Sequence, residues 1–134
     1  MKRILGLIVF ASFQCIGADI HSIDVFVNHE QISQIKNCHD NCQIYDLDGT
    51  EILLNSFFGE LSSDINDAYS DVEKKLNSSE WKTYESKIIE AQKTVIKAFN
   101  LGIKKYPAIV INEKNVIYGI TDVARAIHDF NEGK

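Results

Sequence analysis

The sequence predicts an α/β fold built on a central mixed sheet, with elements in the order β-α-β-α-α-β-β-α. Three observations carry that expectation. The run Ile23–Val27 (IDVFV) is β-branched and aromatic, the composition of a buried strand. Residues 63–99 hold two apolar stripes at helical spacing. The single proline, Pro107, stands at the threshold of a second β-branched run, and a polar turn, a returning strand and an amphipathic helix follow it.

The chain of 134 residues, 45% apolar, is the size of one domain with one core. Met1-Lys2-Arg3 is basic, residues 4–13 are uncharged and mostly apolar, and Gly17-Ala18 precede Asp19. That is the layout of a secretory signal, and the run is shorter than the roughly 20 residues that span a bilayer. Residues 1–18 are therefore read as a leader cleaved after Ala18, and residues 19–134 as the folded domain. Cys15 follows Phe13-Gln14, where a lipoprotein signal sets a small residue, so it is read as part of the leader. Losing the leader removes two positive charges from a net −5 and leaves −7. An acidic domain without a basic cluster argues against nucleic acid and anionic lipid as partners, and no stable membrane insertion is expected.

Strand one is Ile23–Val27. Residues 29–37 carry only Ile32 and Ile35 at helical spacing, a short helix at best. Residues 43–47 (QIYDL) read as strand two, closed by Asp48-Gly49. Residues 52–58 are apolar without a clean period and are read as a connection with some helical character. The first long helix takes Ser63 or Asp64 as N-cap and sets Ile65, Ala68, Tyr69, Val72 and Leu76 on one face. The second starts near Ser79, stripes Tyr84, Ile88, Ala91, Val95 and Phe99, and ends at Gly102, a candidate left-handed cap. Trp81 is expected in the core. Ala108–Ile111 is a strand, residues 112–115 a polar turn, and residues 116–118 its return, broken by Gly119. Thr121 is the expected cap of a last helix whose inward face is Val123, Ala126, Ile127 and Phe130.

Residues 101–127 (LGIKKYPAIVINEKNVIYGITDVARAI) carry a pattern: Leu-Gly, four residues, Pro-Ala and two β-branched residues, a Tyr-Gly strand end, then Asp-Val-x-x-Ala. Leu101, Gly102, Pro107, Ala108, Ile109, Val110, Tyr118, Gly119, Asp122, Val123 and Ala126 fill it. In this the chain resembles the thioredoxin-like proteins of integrating conjugative elements, which are similar to the TrbC proteins of F-type conjugation. The resemblance implies a thioredoxin-like fold in an exported component of a conjugative type IV secretion apparatus, placed in the periplasm among other conjugation-apparatus proteins. It implies no reaction, no cofactor and no catalytic residue. Tyr106, Pro107, Ala108, Tyr118, Gly119 and Asp122 are the motif positions expected at a binding face. The aromatic Tyr106 favours a cis bond to Pro107.

Two other patterns carry chemistry. Cys38-His39-Asp40-Asn41-Cys42 is a C-x3-C, one residue longer than a thioredoxin centre and about ten residues too late. The helix start after strand one, where such a centre gains a stabilised thiolate, holds Asn28-His29-Glu30-Gln31 instead. A small structural disulfide is the leading expectation in an oxidising compartment. A thiol–disulfide oxidoreductase or isomerase using Cys38 and Cys42 is the alternative, and a metal site with His39 is the weakest, because no fourth ligand is evident. Residues 44–50 (IYDLDGT) match the first motif of haloacid dehalogenase phosphatases, in which Asp46 would be nucleophile and Asp48 an acid/base around Mg²⁺. The short chain and the missing downstream Asp-Asp pair weigh against that reading. His21, His29 and His128 are polar-flanked and expected at the solvated surface.

Overall fold

The computed structural model describes residues 19–133. The expected leader, residues 1–18 with Cys15, lies outside them. The sheet has four strands: β1 (Ile23–Val27), β2 (Cys42–Asp46), β3 (Ala108–Ile111) and β4 (Asn115–Tyr118), in the spatial order β2-β1-β3-β4. β1 and β2 are parallel, and the β1–β3 and β3–β4 pairs are antiparallel. This mixed α/β architecture is compatible with a thioredoxin-like fold. Among the described residues no helix is long and apolar enough to cross a membrane.

Side chains alternate across the sheet with the two-residue strand period. Ile23, Val25 and Val27 of β1 join Ile109 and Ile111 of β3 on one face, covered by Val123 and Ala126 of the last helix, α4 (Val123–Glu132). Phe26, Ala108 and Val110 face the other way, toward Ala98 of the long helix α3 (Trp81–Asn100). The central strands are buried on both faces, which is why β3 reads as an unbroken apolar run and β1 as one interrupted only by Asp24.

Between β2 and β3 lie three helices rather than two: α1 (Gly49–Phe58), α2 (Ile65–Leu76) and α3. The first occupies the stretch expected as a connection. Its apolar residues show no period because they are not all turned inward: Phe57 is buried, whereas Ile52 and Leu54 are exposed. Phe57 is buried there against Trp81 (5.3 Å between ring centres) and Tyr84 (4.8 Å), so Trp81 does lie in an aromatic cluster. A short 3-10 turn, His29–Gln34, follows β1.

Several of these expectations shift. Strand two begins at Cys42, one residue early, because Cys42 pairs with Ile23 at the start of β1. Asp122 rather than Thr121 caps α4: its carboxylate accepts the N–H groups of Ala124 and Arg125, while the Thr121 carbonyl is taken by the Lys36 N–H. The α3 stripe holds at Tyr84, Ile88 and Ala91 but fails beyond, where Ala98 is buried and Phe99 is 82% exposed. The first half of α3 packs on α1 and the last turn on the sheet, and the buried direction rotates between them. Gly102 is left-handed, with φ +69°. The Ile103 N–H reaches the Ala98 carbonyl and the Gly102 N–H that of Phe99, the paired closure of a Schellman motif.

Candidate functional site

The Tyr106–Pro107 peptide is cis. Ala108 pairs with Phe26, so Pro107 stands beside Val27, where β1 ends and Asn28-His29 begin. The proline has no N–H for the ladder, and its carbonyl accepts the Gly119 N–H at 2.9 Å. Tyr106 is half exposed (49%) next to it. The other motif residues are spent on structure. Ala108 is fully buried, and the Tyr118 hydroxyl accepts the Lys104 N–H at 3.3 Å. Gly119 holds φ +78°, which a side chain rarely adopts. Asp122 caps α4 and accepts the Asn37 side-chain amide at 2.8 Å. That amide, followed by the Arg125 and Ala124 N–H groups and the Lys36 charge, holds its carboxyl below the usual range against the opposing effect of desolvation. Tyr106 and Pro107 are thus the open part of the motif.

The carboxyl ends of the parallel strands β1 and β2 carry a second group of polar residues at the same end of the sheet. Asn28 caps the 3-10 turn, its side chain accepting the Gln31 N–H while Gln31 reaches back to the Asn28 N–H. The His29 Nδ1 lies 2.7 Å from an Asp46 carboxylate oxygen, and the His29 backbone N–H donates to Asp48 at 3.1 Å. The other Asp46 oxygen accepts the Asp48 N–H at 3.0 Å. His29 is exposed as expected, yet it is tied to a carboxylate rather than freely solvated. Asp46 and Asp48 of the phosphatase-like motif are brought together, but the Asp46 carboxylate is engaged by His29 and the Asp48 N–H, and the Asp48 carboxylate by the His29 backbone N–H. Among the described residues no cluster of His, Cys, Asp and Glu has the form of a metal site.

Cys38 and Cys42 form a disulfide, with Cα atoms 5.4 Å apart. It lies at the start of β1 and β2, where Cys42 pairs with Ile23, whereas Pro107 lies at their far end beside Val27. Four strand steps separate the two, a span of about 13 Å. A thioredoxin centre needs its sulfurs and its cis-proline together, and this sheet holds them apart.

A further charged cluster was not singled out in the sequence. Asp24, in the middle of β1, is 3% exposed, and its carboxylate accepts from the Lys97 Nζ at 2.8 Å. Lys97 also donates to the Tyr45 hydroxyl at 2.8 Å and lies 4.6 Å from that ring centre. Burial works against the ammonium charge, but the hydrogen bonds to Asp24 and Tyr45 and the attraction of Asp24 outweigh it, so its pKa is raised. The partners are 73 residues apart in sequence. The one available signal was an aspartate inside an otherwise apolar strand, which demands a buried cation.

The family described as "Protein of unknown function (DUF1525)" matches residues 22–133 of this chain. No curated protein and no solved structure matches it.

Proposed function

We propose that this chain, which belongs to the DUF1525 family, is an exported, non-catalytic thioredoxin-like component of a conjugative type IV secretion system. It acts in the periplasm, in assembly or as a scaffold for other proteins of the apparatus. The observation that carries the reading is the motif of residues 101–127 laid around a cis-proline whose facing strand end offers Asn28-His29 in place of cysteines. The DUF1525 family is commonly linked to TrbC-like conjugation proteins, which supports the same system. The disulfide about 13 Å away supports a structural part for Cys38 and Cys42.

In this reading an extended partner segment docks at the Tyr106-Pro107 loop and the adjoining hairpin, a sheet-edge mode of recognition. Deleting the gene should abolish or strongly lower DNA transfer, and the wild-type gene should restore it. Cys38→Ser/Cys42→Ser should also restore transfer and the purified protein should not reduce insulin. Pro107→Ala together with charge reversal at Glu113 and Lys114 should lower transfer. Unchanged transfer in the deletion strain would sink the proposal. Insulin turnover lost in the cysteine variant would replace the scaffold by an oxidoreductase.

A further inference from the structure

α2 is attached to the rest of the molecule without a single buried residue. Its apolar side chains are not scattered, however. Ile65, Tyr69, Val72 and Leu76 recur at steps of 4, 3 and 4, the a/d spacing of a helix–helix seam. Ile65 and Tyr69 are 79% and 78% exposed, and Leu76 is 40% exposed. With Leu61 from the preceding segment they line an open apolar groove of about 600 Å³. A contiguous apolar surface of this kind marks a site that a partner covers.

The charges of α2 say which partner. Asp64 caps the helix and Asp67 lies in its first turn, Asp71 and Glu73 follow in its second half, and Lys74 and Lys75 lie in its last turn. Against a second α2 running the opposite way about an axis between Ser70 and Asp71, Lys74 of each copy stands opposite Asp67 of the other, and the helix dipoles oppose head to tail. A parallel pair sets like charges together. The stripe is also palindromic. With a two-fold axis between Ser70 and Asp71, Ile65 stands opposite Leu76 of the second copy and Tyr69 opposite Val72, as an isologous contact requires. Asp71, nearest the axis, is paired with Lys74 of its own chain at 3.6 Å. We propose that α2 is the seam of an antiparallel homodimer.

A contact between two helices of 12 residues buries less than a standard interface of about 1,600 Å², so the dimer is weak and concentration-dependent. Sedimentation equilibrium on the protein exported from the full-length gene should show a monomer–dimer equilibrium between about 10 μM and 1 mM. Tyr69→Lys, at a position that is already exposed, should weaken it at least about tenfold with an unchanged circular dichroism spectrum. For direction, Ile65→Cys/Leu76→Cys should be joined between copies by a short bis-maleimide, whereas either single variant should not. A chain that stays monomeric at 1 mM overturns the proposal and leaves the groove to a helix of a different protein. Undiminished association of Tyr69→Lys overturns it too, as does efficient cross-linking of the single Leu76→Cys variant.

Discussion

Lys97 holds together what no stretch of local sequence connects: the middle of β1, the ring of Tyr45 and the last turns of α3. Replacing it by methionine keeps most of the packing but leaves the Asp24 carboxylate buried without its cation. Breaking one side of such a pair costs about 3 kcal/mol, which urea unfolding of Lys97→Met should show. The raised Lys97 pKa also has a sign. Its contribution is fully present below the ordinary value of 10.5 and is lost as pH rises through the higher folded value. Asp122 works at the other limb. Its folded pKa is lowered, so its contribution is present above the ordinary carboxylate range and is lost as pH falls below about 4. Asn37→Ala removes the leading cause of that shift, and the acid unfolding midpoint should move to higher pH. Asp24 and Lys97 were each visible in the sequence, but their pairing depends on the sheet bringing residues 73 apart into contact.

At the scale of elements, some helix ends and some helix faces were legible and others were not. Gly102 closes α3 at φ +69°, and no atom lies within 4 Å of where a Cβ would stand. Gly102→Ala should therefore cost only the conformational penalty of the left-handed region, about 1 kcal/mol, read from a lowered thermal midpoint. For α2 the sequence offered Ser63 or Asp64 as cap, and the structure takes Asp64, whose carboxylate accepts the Asn66 and Asp67 N–H groups. The helix at residues 49–58 was legible only as a connection with some helical character, because its apolar residues point both inward (Phe57) and outward (Ile52, Leu54) and so show no clean period. The disulfide closes a short loop between the 3-10 turn and β2. Cys38→Ser/Cys42→Ser should lose about 2 kcal/mol on the chain-entropy model, measured by chemical unfolding under non-reducing conditions. The same pair was read from its spacing alone, but its distance from the cis-proline required the register of β1 against its two neighbours.

Across the whole molecule the two sides of the sheet are finished differently. α4 lies on one side with its apolar face turned inward. On the other, most of the exposed large apolar residues belong to α1, α2, α3 and the segment between the first two, among them Leu61, Ile65, Tyr69, Ile96 and Phe99. The amphipathic period that made these helices legible also suggested inward faces that the structure leaves in water. Sequence pattern reports that a stripe will be covered, not whether the cover comes from the same chain.

The position of β1 sets a timetable. It is the first strand made, yet its inner edge is closed by β3, with Ile23 opposite Ile111, near the other end of the chain. Contacts so distant in sequence make folding slow, because the long loop must close before they form. The core therefore cannot be completed until the last third of the chain has been made. Until then β1 carries an unpaired, apolar edge open to proteases and to neighbouring chains. Truncation before Pro107 should fix the protein in that state, seen as loss of cooperative unfolding and rapid digestion by a broad-specificity protease.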